Sequence, residues 1–278
     1  MTTSTKLVRL TLLFAVMILA ATTGVYGVVH TAAGSGSCTL TMSSSQNASE
    51  IINAYLSTWV SQGMDSATLC LDEGFYLFTG SPNPPYGGRV VIVPPNFSLY
   101  MVGTTGPAQL QSDVAMTYFF LNSSTRLSLT NIYIGAFQNT AIYGSTSIFE
   151  ADNVIFQGGT GGAIVLDVSQ NFSFINSAIL SHASDWGFPA IKIQGSGYVY
   201  NSTFRGMTGA AGDPSQSCTG LVGLFLIDSC NFTGNYNYGG GACLCEVCES
   251  LNIKNTVFIE NSPNDCCSGS NCQNCQSE

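Results

Sequence analysis

Charged side chains are what this chain of 278 residues has least of: Asp, Glu, Lys and Arg make up 8% of it, against about 25% in an average soluble domain. Lys and Arg number 7 and His 2. Long amphipathic surface helices need a charged outer face, so they are excluded as the main building block. Sixteen acidic residues against those 7 cations give a formal charge of −9. With no basic patch to meet phosphate, nucleic acid and anionic lipid are set aside as partners. Beyond the N-terminal region no apolar run is long enough to span a bilayer. Also missing are an Asp-Asp pair, a Gly-His-Gly, an Arg-x-Lys run and a Ser or Cys nucleophile motif.

Both ends carry distinctive chemistry. "MTTSTKLVR" places Lys6 and Arg9 ahead of "LTLLFAVMILAA", which reads as a secretory signal over residues 1–27. Cleavage is expected near Val25-Tyr26-Gly27 or at Thr31-Ala32-Ala33; an uncleaved signal anchor is the alternative, since mild apolarity runs on to Ala33. Eleven cysteines then point to disulfides in an oxidising compartment. Cys38 and Cys70 stand early. Cys218, Cys230, Cys243, Cys245, Cys248, Cys266, Cys267, Cys272 and Cys275 crowd the C-terminal quarter. Their odd number leaves one thiol unpaired or paired with another chain. Cys-x-x-Cys at 245/248 and 272/275 has zinc-knuckle spacing, but secretion favours disulfides, and no metal or cofactor is expected. Sequons at Asn47, Asn96, Asn122, Asn171, Asn201 and Asn231 suit a secreted glycoprotein.

The middle of the chain repeats. "LSLTNIYIG", "FEADNVIFQG", "FSFINSAIL", "GYVYNSTFRG", "FLIDSCNFTGN" and "LNIKNTVFIEN" align on Asn131, Asn153, Asn176, Asn201, Ser229 and Asn255, at spacings of 22 to 28 residues. Four and two positions before each marker the alternating residues are mostly apolar, as in Leu127/Leu129 and Phe172/Phe174. Three positions after it stand Ile134, Phe156, Ile179, Phe204, Phe232 and Phe258. Period two on both sides predicts two strands, each with one buried face. Asn tolerates the left-handed backbone of a sharp bend. Stacked coils would align the amides as a ladder, expected at Asn131, Asn153, Asn176, Asn201 and Asn255. A third run, "AIYG", "AIVLD", "AIKIQ" and "ACLCE", opens several units. Three short strands per turn wind into a solenoid. Upstream, "NASEIINAYLSTWVSQG" puts Ile51, Ile52, Tyr55, Leu56, Trp59 and Val60 on a helical stripe, with Asn47 and Glu50 spaced as a capping box. Such a helix would close the open apolar end that a solenoid presents.

The helix, then "ATLCLDEGFY", then the coils, resembles the right-handed parallel β-helix, or pectin-lyase-like, family. The coils also resemble polymorphic outer-membrane-protein repeats: Gly161-Gly162-Ala163-Ile164 matches their Gly-Gly-Ala-aliphatic signature, and Phe232/Asn235 and Phe258/Asn261 match their Phe-x-x-Asn. The resemblance spans about residues 47–262 and implies an all-β, single-stranded, right-handed parallel β-helix solenoid. The leucine-rich repeat overlaps in period, yet wants Asn three positions after its last strand leucine and a returning helix. The expected organisation is a signal at 1–27, a linker at 28–46, the β-helix at 47–262 with its capping helix, and a disulfide-rich tail at 263–278.

Function has to come from a site. Glu150 and Asp152 alternate onto one outward face about 7 Å apart, within the spacing used by inverting glycosidases. His182, with Asp185 and Trp186 close by in a long loop, would offer a base, a carboxylate partner and a stacking platform. Tyr198 and Tyr200 lie between Asp152 and Asp228 and could stack on sugar rings; with Trp186 they are the carbohydrate-contact candidates. Acids must also lie somewhere on an acidic surface, and a lone loop histidine usually catalyses nothing. The reading is therefore a secreted or surface glycoprotein whose non-catalytic β-helix serves recognition, adhesion or matrix structure, with glycans or surface proteins as partners. A secreted polysaccharide lyase or glycoside hydrolase is the alternative. Glycans are expected on Asn47, Asn96, Asn122, Asn171 and Asn231, but not on Asn201, which the ladder would bury.

Overall fold

The computed structural model describes residues 37–45, 47–78, 90–112, 117–137, 140–145, 147–184, 190–209, 221–237 and 252–262. The stretch expected to be a signal, 1–27, and the Cys-rich tail, 263–278, lie outside them. The short apolar alternations each become a strand, and every strand pairs in parallel with its counterparts about one repeat away. The result is a β-solenoid of about six turns with one helix.

Three long stacks of strands wall the solenoid among the described residues, beside a short fourth one of Ala183–Ser184, Thr208–Gly209 and Tyr236–Asn237. The first comprises Val91–Val93, Phe119–Leu121, Ile142–Gly144 and then 164–166, 191–193 and 221–222. The second runs from Leu40–Met42 through Ser66–Leu71 and Ser98–Gly103, continues through 126–130, 148–152, 172–175 and 197–200, and ends at Asn252–Lys254. The third begins at Gly74–Phe78 and Ala108–Ser112 and ends at Thr203–Arg205, Asn231–Thr233 and Val257–Ile259. Leu40–Met42 pairs with Ser66–Leu71, so the solenoid starts inside the stretch expected to be linker and before residue 47. A disulfide between Cys38 and Cys70 fastens this first rung.

The marker positions are the bends between the second and third stacks. Asn131, Asn153, Asn176, Asn201, Ser229 and Asn255 all take positive φ, between 46° and 57°. Five residues later a second left-handed bend follows at Ala136, Gly158, Ser181, Gly206, Gly234 and Glu260. Between the bends lies a strand too short for more than one or two inward side chains. Phe156, Ile179, Phe204, Phe232 and Phe258 fill that inward position and are fully buried. Phe204 lies parallel to Phe232 at 4.6 Å, and Phe232 to Phe258 at 5.0 Å. That is close to the spacing of neighbouring strands. Removing each ring from water contributes about 1.5–3 kcal/mol.

The helix Ala48–Ser61 lies against Gly74–Phe78 and Val91–Val93. Its buried stripe is narrower than the sequence suggests: Ile52, Leu56 and Trp59 are buried, whereas Tyr55 and Val60 are exposed. Trp59 lies parallel to Phe97 at 6.5 Å, and Asn53 both donates to the Val90 carbonyl and accepts from the Ile92 N–H. The expected capping box does not form. Asn47 occupies the N-cap position without a side-chain capping bond.

Candidate functional site

The outward face of the second stack holds most of the candidate residues, in the order the alternation requires. Glu150 and Asp152 sit two residues apart on the strand Ser147–Gln157. Register carries Asp152 through Ile175 and Tyr200 to Asp228 in one column. Neither carboxylate of the proposed pair is unoccupied. Arg126, one coil earlier, grips Glu150 with both arms of its fork, Nη2 at 2.6 Å from Oε1 and Nε at 3.3 Å from Oε2. That bond, set against partial desolvation, raises the arginine's pKa further. The same guanidinium lies 6.0 Å over the Tyr100 ring. Asp152 Oδ1 accepts the Asn176 amide at 2.9 Å. The 24-residue separation of Arg126 and Glu150 is one coil; that spacing was the signal by which the pairing could have been found.

Tyr198 and Tyr200 lie side by side, ring centroids 5.9 Å apart and 11° from parallel. Tyr200 is 38% exposed, and burial raises the pKa of Tyr198, aided by the nearby Asp228 carboxylate. Trp186, the third stacking candidate, and Asp185 lie outside the described residues.

His182 is the main correction. It does not stand in an open loop but faces the core, 1% exposed, with its ring against Phe137 at 5.8 Å and 24°. Neither ring nitrogen has a hydrogen-bond partner. Burial alone pushes its pKa down to about 4. Gly159, on the coil between them, makes room for the two rings to meet: a Cβ there would stand 2.0 Å from the Phe137 ring. A group enclosed in this way cannot reach a substrate in the folded coil.

The ladder forms, with a change of partner along its length. Asn131 donates to the Gly103 carbonyl at 2.9 Å, Asn153 to Asn131 at 3.1 Å, and Asn201 to Asn176 at 2.8 Å. Asn176 turns instead to Asp152. Asn255, with Ser229 beneath it, donates to Asp228 at 3.0 Å. The column is not buried: Asn131 is half-buried, and Asn153, Asn176, Asn201 and Asn255 are exposed. The burial that was to exclude a glycan from Asn201 is therefore absent. Asn47, Asn96, Asn171 and Asn231 are exposed as well, while Asn122 is half-buried and donates its amide to the Val93 carbonyl. A second, inner ladder serves the Phe-x-x-Asn motif. Asn235 donates to Asn261 at 2.9 Å and to the Phe204 carbonyl at 3.0 Å, with both residues buried.

Cys230 is a free, buried thiol rather than a disulfide partner. It follows the Ser229 marker just as Ser177, Ser202 and Thr256 follow theirs. Each bonds the carbonyl two residues back: Ser177 Oγ to Ile175, Ser202 Oγ to Tyr200, Cys230 Sγ to Asp228 and Thr256 Oγ1 to Lys254. Burial pushes the Cys230 thiol up to about 11, so it stays protonated and acts as a hydroxyl equivalent. Sequence reading missed this column, although the residue after each later marker is a small donor. Cys218, Cys243, Cys245, Cys248, Cys266, Cys267, Cys272 and Cys275 lie outside the described residues, and with them both Cys-x-x-Cys pairs. Among the described residues no three metal-ligating side chains converge.

With family models, curated proteins and solved structures alike, the chain gives no match.

Proposed function

We propose that this chain is a secreted or surface-displayed glycoprotein whose β-helix is a non-catalytic scaffold for recognition, adhesion or matrix contact. The observation that carries the reading is the use made of the candidate catalytic groups. Glu150 is held by Arg126, Asp152 by the Asn176 amide, and His182 is enclosed in the core. A carboxylate clamped by a bidentate arginine is positioned for structure, and an acid–base pair needs one member free to gain a proton. The right-handed, pectin-lyase-like winding belongs to the same proposal, as do the helix acting as an end cap and the Cys-rich tail stapled over the last coil.

Recognition would centre on Tyr198 and Tyr200, whose paired rings stand on a rigid strand beside the exposed ladder. Aromatic faces bind the apolar face of a sugar without needing the cations this chain lacks. A glycan array probed with the purified ectodomain tests the reading. Binding that falls at least tenfold in Tyr198→Ala and Tyr200→Ala is expected. Turnover of a plant or algal polysaccharide that disappears in Glu150→Gln or Asp152→Asn would overturn it in favour of a polysaccharide-active enzyme.

A further inference from the structure

Of the five ladder asparagines, Asn201 alone heads a sequon, Asn201-Ser202-Thr203. Two positions after Asn131, Asn153, Asn176 and Asn255 stand Tyr133, Ile155, Ala178 and Val257, none of which completes one. Asn201 is also where the ladder changes. Its amide donates down the stack to Asn176 Oδ1 at 2.8 Å, yet the marker one coil above is Ser229, the single non-asparagine of the column. The Ser229 hydroxyl turns aside to Asp228 Oδ1 at 3.0 Å, and Asn255 from the coil beyond bonds the same carboxylate. No asparagine amide is laid over Asn201.

From this geometry we propose that Asn201 is an N-glycan acceptor and that the Ser229 break accommodates the sugar within the ladder. A primary amide has two N–H groups, and the ladder uses one of Asn201's toward Asn176. Glycosylation replaces one hydrogen of Nδ2. The Nδ2–C1 bond forms as the C1–oxygen bond to a lipid-diphosphate-linked oligosaccharide breaks; the lipid diphosphate leaves and one amide proton goes to base. The product keeps one N–H and its carbonyl oxygen, enough to hold Asn176. An asparagine at 229 would stack its amide on that of Asn201, as Asn201 does on Asn176; a serine occupies less of that space. The exposure of Asn201 on the outer bend leaves the sugar in solvent, flanked by the exposed Tyr200.

The inference rests on the secretory reading, and one experiment separates the two. The full chain is produced in a eukaryotic secretory host, and its tryptic and chymotryptic glycopeptides are mapped by mass spectrometry. A glycan on the Asn201 peptide is expected. In Thr203→Val, which keeps the Asn201 amide and a β-branched strand residue, that one glycan should be lost while the protein is still secreted. An unmodified Asn201 alongside a glycan at any of the other five sequons overturns this inference alone. Sugar at none of the six overturns it together with the secretory reading.

Discussion

At position 182 a histidine occupies an inward column whose other members are Phe137, Gly159, Met207, Asn235 and Asn261. Asn235 there donates to Asn261 and accepts from the Met207 N–H, and Asn261 donates to the Phe232 carbonyl; His182 is tolerated because the neutral imidazole can lie against Phe137 as an aromatic ring. Its charge cannot be accommodated. With an ordinary pKa of 6.5 in the unfolded chain and about 4 when folded, the unfolded state binds more protons in that interval. The native state therefore keeps its full stability above pH 6.5 and loses it as pH falls toward 4. The loss is about 3 kcal/mol at about 1.4 kcal/mol per pKa unit. Urea midpoints measured at pH 7 and pH 4 should fall further for the wild type than for His182→Phe. Equal falls would show that the imidazole is not enclosed as the structure places it. Asp185 and Trp186 nearby in sequence suggested an exposed site. The contrary signal was register, since His182 lies three residues after the inward Ile179, as Phe137 does after Ile134.

At the scale of the element, a strand here is only as good as the bend that ends it. The left-handed conformation costs an L-residue other than Gly or Asn roughly 1–2 kcal/mol. Each ladder bond contributes a further 0.5–1.5 kcal/mol or so. Asn153 takes φ 56° and donates to Asn131, so Asn153→Ala loses on both counts, whereas Asn153→Gly loses the bond and keeps the backbone freedom. Chemical denaturation should rank wild type above the Gly variant and the Gly variant above the Ala variant, with the Ala variant lower than wild type by about 2 kcal/mol. A Gly variant no better than Ala would mean that the amide, and not the backbone, is what the bend requires. The small-donor column of Ser177, Ser202, Cys230 and Thr256 adds to the same bends from the inner side. It also accounts for the free Cys230 thiol in a cysteine-rich chain: its sulfur bonds the Val199 and Asp228 carbonyls.

Among the described residues, strand pairing joins each coil only to the coils before and after it, the His182–Phe137 ring contact across Gly159 reaching one coil further, so stability is close to a sum of neighbour terms. The Cys38–Cys70 bridge acts at the first of these, closing 32 residues of sequence and holding Leu40–Met42 on Ser66–Leu71. A loop of this length is worth about 3–4 kcal/mol in the chain-entropy account of a disulfide. In the double variant Cys38→Ser, Cys70→Ser, amide exchange should accelerate at 40–42 and 66–71 and stay unchanged at 257–259. Uniform acceleration along the chain would show that the solenoid opens as one cooperative unit.

The sequence by itself determined the repeat, the three-strand coil, the inward residues of the strands flanking each marker and the left-handed bends at the asparagine markers. Each of these follows from local rules: period two, the steric tolerance of asparagine, and apolar side chains that must leave water. The tertiary structure decided everything that depends on which coil lies beside which. Only stacking brings Arg126 onto Glu150, carries Asn176 past Asn153 to Asp152, encloses His182 above Phe137, and leaves the Asn column on the outside rather than within. Those contacts join residues one or two coils apart in sequence, and their partners are set by register and by what the neighbouring coils offer. A single strand's pattern carries no information about that choice.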